Sequence, residues 1–177
     1  MIEIFTDGSA KANGTENNIG GYGVVALIED KEAKSDFRID HMKSEQVINT
    51  TNNRTELAAL LYALELTQTI YQHKHCIIKS DSAYCVNMFN DWIFNWHKNN
   101  WTRAKNQQIE NLDLVKQIWE YRKIEWSNFT VEKVSGHSGL LGNELADALA
   151  TNDQAKIDKI LKTNEKMYDK VINIDLQ

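Results

Sequence analysis

The period of the apolar residues changes near residue 51, and this change constrains the fold more than any other feature of the chain. Before it, strand-like stretches stand near residues 2 to 6, 22 to 28 and 36 to 41, separated by Gly/Asn-rich or charged connections, the pattern of an antiparallel meander. Then "TNNRTELAALLYALELTQ" places Leu57, Leu60, Leu61 and Leu64 at i, i+3, i+4 and i+7, which predicts an amphipathic helix starting near Asn53. Beyond it, "HCIIKSDS" reads as a strand ending in Asp81 and "AYCVNMFNDWIFNW" as helix. Residues 108 to 121 give another helix, "FTVEKV" a strand and "GNELADALAT" a helix. A meander followed by helical crossovers predicts an α/β layer fold whose later strands lie parallel to the first.

With 177 residues, 42% of them hydrophobic, the chain can bury one real core, and a single globular domain is expected. No run approaches the ~18 apolar residues of a membrane span, and the first six residues read as strand rather than as a secretory signal. A cytoplasmic protein without a membrane partner is expected. Cys76 and Cys85 are too few for a disulfide framework or a zinc site, so two reduced, buried thiols are expected. Residues 151 to 177 carry Ile157, Ile160, Leu161, Tyr168 and Val171 at near-helical spacing, which predicts an amphipathic helix extending the domain of residues 1 to 150.

The net charge of −5 argues at first against a nucleic-acid partner. Its distribution matters more. Residues 97 to 123 hold Lys98, Arg103, Lys105, Lys116, Arg122 and Lys123 against three acids, so this segment is positive and the excess of acid lies elsewhere.

Four of the acids stand at element boundaries or on helix faces. Asp7 closes the first predicted strand and Asp81 the fourth, so parallel neighbours would bring both to one carboxyl edge of the sheet, where open α/β sheets build their sites. Glu56 lies early in the Leu-rich helix, and Asp147 sits in the middle of "NELADALA". Each has a plain structural reading: Asp7-Gly8 as a strand exit, Asn53-x-x-Glu56 as a capping box, Asp81 as an N-cap and Asp147 on a solvated face. One hypothesis joins all four, a carboxylate cage for hard divalent cations such as Mg²⁺. Two such ions about 4 Å apart can activate water and stabilise the departing oxygen of a phosphodiester.

"FTDGSAKANG" with "GGYG", "TTNNRTELAAL", "SDSAY" with "DWIFNWHKNNW", and "VSGHSGLLGNELADALA" resemble, in order, the four motif blocks of type 1 ribonuclease H, over about residues 2 to 150. The resemblance implies a ribonuclease H-like α/β fold: a five-stranded mixed sheet, three strands antiparallel and the later ones parallel to the first, flanked by helices. It implies an endoribonuclease that cuts the RNA strand of RNA·DNA hybrids by a two-metal-ion mechanism; a monomer is expected. Asp7, Glu56, Asp81 and Asp147 would hold two Mg²⁺ ions when substrate is bound, with Mn²⁺ as the alternative ion, and the mobile His137 would assist proton transfer or product release. For the hybrid, the same resemblance implies Ser9 as a substrate contact, Asn52 and Asn53 at the minor groove, and a DNA-strand phosphate between Thr51 and Asn111. Trp92, Trp96, Lys98 and Trp101 match the family's Trp-bearing handle; Trp92 and Trp96 are expected mainly in the core, with Trp101 the better contact.

The chain departs from the pattern in places. Ala83 stands where many relatives have Gln, and Asn49 where some have Arg. The handle is less basic than in the strongest bacterial examples, so weaker and more salt-sensitive substrate affinity is expected. The competing expectation is a non-catalytic hybrid-binding module on the same fold, against which the four intact acids argue.

Overall fold

The computed structural model describes residues 1–11, 17–31, 37–103, 107–124, 128–136, 139–164 and 173–176. The meander is β1 (Ile2–Ala10), β2 (Ile19–Glu29) and β3 (Phe37–Ile48), paired antiparallel in sequence order. Helix α1 (Asn52–Thr69) crosses back so that β4 (Cys76–Ser80) pairs parallel with β1 on its other side. Two short helices follow, α2 (Ala83–Asn87) and α3 (Ile93–Lys98), joined through one π-helical turn at Met88–Trp92. Then come α4 (Leu112–Arg122), β5 (Phe129–Lys133) parallel to β4, α5 (Leu141–Ala150) and α6 (Gln154–Thr163). The expected five-stranded mixed sheet is therefore present in the order β5-β4-β1-β2-β3.

A sixth strand, β6 (Asn173–Leu176), adds parallel to the outer edge of β3. The single amphipathic helix expected over residues 151 to 177 is thus corrected. Its helical part stops at Thr163, where the Asn164 N–H bonds back to the Ile160 and Leu161 carbonyls, and "NIDL" alternates apolar with polar and takes the open ladder of β3. Tyr168 and Val171 lie outside the described residues.

Both faces of the central strands are covered, so β1 buries Ile4, Phe5 and Thr6 in succession instead of alternating. On one face Ile2, Ile4, Val24 and Ala26 meet Leu57, Leu60, Ala63 and Leu64 of α1. On the other, Phe5, Val25 and Leu27 meet Leu145, Ala146 and Leu149 of α5, and Ile157 of α6. The leucines that carry the helical period, Leu57, Leu60 and Leu64, are fully buried, each contributing about 1.5–3 kcal/mol by burial. Cys76 and Cys85 are buried free thiols, pushed by burial up to about 11 and about 12. No described helix is long and apolar enough to cross a membrane.

Two glycines fix how closely the helices approach. A Cβ at Gly8 would stand 2.3 Å from the Glu56 backbone N, so α1 passes directly over β1 there. Gly23, the β2 register partner of Asp7, would bring a Cβ 2.1 Å from the Ala146 carbonyl, so α5 lies equally close on the other face. Any side chain at these positions would push one helix, and its carboxylate, away from Asp7.

Candidate active site

The sheet register builds the site. Thr6 pairs with Ser80, so Asp7 and Asp81 are the next residues along two parallel neighbours and stand level with each other where the pairing of β1 with β4 ends. The approach of α1 at Gly8 supplies Glu56, and that of α5 at Gly23 supplies Asp147. Asp7 is the centre of this group. Burial first, then Asp81, Asp147 and Glu56 raise its carboxyl to about 7, although the Gly8 N–H donates to its Oδ1 at 2.8 Å. Glu56 is raised as well, by burial and by Asp81, against the lowering effect of its bond from Ser82. The structure therefore brings all four sequence-nominated carboxylates within electrostatic reach of one point.

None of the plain structural readings accounts for these acids. Strand β1 continues three residues beyond Asp7, so the Asp is inside a strand and not at its exit. The cap of α1 is Thr51, whose hydroxyl accepts from the Arg54 N–H at 3.3 Å, so the helix starts one residue before the expected Asn53 and Glu56 is no part of a capping box. The cap of α2 is Ser82 and not Asp81. Asp147 is only 25% exposed in its side chain and is hydrogen-bonded to a lysine.

What holds each carboxylate differs. Glu56 accepts from Asn52 Nδ2 at 3.0 Å and from the Ser82 hydroxyl. Asn52 also accepts from the Ala10 N–H at 3.1 Å, so a single side chain ties the end of β1 to the acid on α1. On the other side, Lys156 Nζ stands 2.5 Å from Asp147 Oδ2 and 3.2 Å from Glu144 Oε2, and these bonds raise the lysine's pKa. Among the described residues, no three His, Cys, Asp or Glu side chains stand in a metal-binding cluster in this arrangement. In chemistry the donors fit a hard divalent cation: all four are carboxylates, and the raised Asp7 marks a negative field that a cation would relieve.

His137 lies outside the described residues. The chain before it passes close over Asp81, since a Cβ at Gly136 would be 2.9 Å from Asp81 Oδ2. Thr51 and Asn111 stand at the starts of α1 and α4 and are linked through Arg54, which donates to Asn111 Oδ1 at 3.3 Å and pairs with both oxygens of Asp113. Ser9 is half-buried near the end of β1, and Asn53 sits in the first turn of α1. In the handle, Trp96 is buried and Trp92 packs between it and Tyr84, in line with their expected core role. Trp101 rests against His97 and Trp119, with Lys116 Nζ 5.8 Å from its ring, while Lys98 is exposed. Trp101 holds a left-handed backbone (φ 61°), rare for a bulky residue, and its N–H bonds to the Trp96 carbonyl at 2.7 Å.

The sequence missed the residues that support the acids. Asn52 had a signal, since it precedes Glu56 by one helical turn. Ser82 and Lys156 had none that outweighed an ordinary polar surface.

A mixed sheet with acidic side chains gathered where the pairing of β1 with β4 ends defines a class of α/β protein with its site at the carboxyl edge of the parallel strands. The family model for RNase H matches residues 1–155. Ribonuclease H of Orientia tsutsugamushi (strain Boryong) is 37% identical over 164 residues, covering 93% of this chain and 88% of its own length. Ribonuclease H of Clostridium botulinum (strain Hall) is 39% identical over 154 residues, covering 84% and 92%. The chain belongs to the ribonuclease H family. Its fold is similar to that of LC9-RNase H1, a type 1 RNase H with the type 2 active-site motif, at a TM-score of 0.70 and 22% identity over 97% of this chain and 85% of that one.

Proposed function

We propose that the chain is an endoribonuclease that hydrolyses the RNA strand of RNA·DNA hybrids, acting as a cytoplasmic monomer with residues 1–150 as its catalytic domain. The observation that carries this reading is the Asp7 carboxyl, raised to about 7 amid three other acids in a chain of the ribonuclease H family. A carboxyl so placed is poorly served by water and well served by a cation.

Asp7, Glu56, Asp81 and Asp147 would hold two Mg²⁺ ions, or Mn²⁺ in their place. When bound, the ions supply charge to activate water and to stabilise the departing oxygen. The chain's own residues prepare that site. Asn52 and Ser82 aim Glu56 by hydrogen bonds and leave it negative. The Gly8 N–H fixes Asp7. In the reaction a water oxygen bonds to phosphorus, the bond to the 3′ oxygen breaks, and that oxygen leaves with a proton, giving 5′-phosphate and 3′-hydroxyl ends. His137 is the candidate carrier of that proton.

For the substrate, Thr51 and Asn111 would receive a DNA-strand phosphate, a role supported by their places at two helix starts. Asn52 and Asn53 would face the minor groove, with Ser9 a further substrate contact, and Lys98 and Trp101 would face the DNA strand beyond it.

The test is to offer labelled RNA·DNA, RNA·RNA and DNA·DNA duplexes with Mg²⁺ and with chelator. Cleavage confined to the RNA of the hybrid, and only with Mg²⁺, is expected. Hybrid binding without cutting would replace the enzyme with a binding module.

A further inference from the structure

Lys156 lies one residue beyond the segment that the RNase H family model matches, yet it reaches into the candidate site. Its position is built by the turn before α6. Asp153 donates its N–H to the Ala148 carbonyl at 2.9 Å, and its side chain caps α6 by accepting from the Lys156 N–H at 3.0 Å. The next residue, Ile157, is buried with Leu145 and Leu149 against the sheet, while Ile160 and Leu161 pack around it. Helix α6 is thus docked by apolar contacts that do not involve the lysine, and Lys156 is left pointing back at α5. Glu144 and Asp147, one turn apart on α5, both receive its ammonium.

An ammonium and a divalent cation compete for the same carboxylate, because both are positive and both need its oxygen lone pairs. We propose that Lys156 is a positioning residue that holds Asp147 in the cation-free protein and must release it when a cation enters, so that docking of α6 sets the cation affinity of the α5 side. Glu144 is the second anchor, to which the displaced ammonium can remain attached. This rests on the reading of Asp147 as a cation ligand.

The test is an Mg²⁺ titration of the full-length protein, alone and with an uncleavable RNA·DNA hybrid analogue bound, followed by the backbone amides of α5 and, separately, those around Glu56. Lys156→Gln is expected to tighten the Kd read at α5 by about 2- to 5-fold, the range expected for removing a partly exposed competing ion pair. Lys156→Arg is expected to stay within about twofold of the parent, because it keeps a competing cation. Lys123→Met removes the same charge from a distant pair with Glu120, and it is expected to change neither Kd. Melting curves of the cation-free variants establish that α6 remains docked.

The inference is overturned if Lys156→Gln binds Mg²⁺ at α5 no more tightly than the parent or the Lys123 variant. It is overturned together with the reading of Asp147 if, with the hybrid analogue bound, the parent shows saturable Mg²⁺ binding around Glu56 but no response at α5, or no saturable binding at all. Unchanged affinity on top of normal α5 binding sinks only the role of Lys156.

Discussion

On the α1 side of Asp7, Glu56 is held by Asn52 and Ser82, both neutral, whereas on the α5 side Asp147 is held by the ammonium of Lys156. Neutral donors orient a carboxylate and leave its charge in place; a cation orients it and cancels the charge. The two sides are otherwise built alike. Each helix is let down onto the sheet at glycines, Gly8 for α1 and Gly23 together with Gly21 and Gly142 for α5, and each delivers one acid beside Asp7. The comparison teaches that close approach is set by the backbone, whereas readiness for a cation is set by the supporting side chains.

Asp7 belongs to both sides, so its removal is the strongest way to break the comparison. Asp7→Asn is expected to lower hybrid cleavage by about 10³-fold or more, since several kcal/mol of cation-dependent charge stabilisation are lost. The same variant is expected to be more stable than the parent without cations. The folded carboxyl, near 7, binds its proton more tightly than the unfolded one at 3.8. Its contribution is therefore fully present below about pH 4 and is lost as pH rises through about 7. In chelator, the stability of the parent should fall across this window relative to Asp7→Asn, leaving the variant ahead at pH 8 by roughly 1–4 kcal/mol. Urea unfolding at pH 5 and pH 8 measures the difference. A variant less stable than its parent at pH 8 would return Asp7 to a structural role.

Gly23→Ala and Gly8→Ala test the shared part of the design. Their new methyl carbons would lie 2.1 and 2.3 Å from backbone atoms of α5 and α1, which cannot turn aside as a flexible side chain could. Each should cost about 3 kcal/mol in denaturant unfolding, at the upper end of ordinary overpacking. Each should also disturb its own half more than the other. Amide shifts should concentrate on α5 in the first variant and on α1 in the second. Equal disturbance of both helices would mean that the halves are not built independently.

The architecture was legible because period and order are local properties. The leucines of α1 stated their helix, and the short runs at "HCIIKSDS" and "FTVEKV" stated their strands. The four acids were legible as a set because four ordered motifs carried them. What stayed hidden depends on partners distant in sequence. β1 looked finished at Asp7, since Gly8 and Ser9 resemble a turn, yet pairing of Gly8 with Tyr22 and of Ser9 with Gly21 keeps the strand going. Asn53 looked like a cap by spacing to Glu56, but Thr51 takes that place. Nothing local joins Lys156 to Asp147, because a helix end and a turn stand between them. The strand at Asn173–Leu176 was equally hidden, since its reason is the open edge of β3.

The smallest expected effect isolates the neutral support on the α1 side. Ser82 has two tasks: its hydroxyl accepts from the Cys85 N–H at 3.3 Å, capping α2, and it donates to Glu56. Ser82→Ala loses both and should cost about 1 kcal/mol, the usual size of a lost cap. Ser82→Thr keeps a hydroxyl that can cap and donate, and should recover most of that loss. The donated bond favours the ionised form of Glu56, so its loss makes the carboxylate harder to ionise. Mg²⁺ read at the amides around Glu56 should then bind a few-fold more weakly in the Ala variant, with the α5 response unchanged. This is the opposite sign to Lys156→Gln on the other side, because one substitution removes a group that favours negative charge and the other a group that neutralises it. If both substitutions moved affinity in the same direction, the distinction between neutral and cationic support would fail.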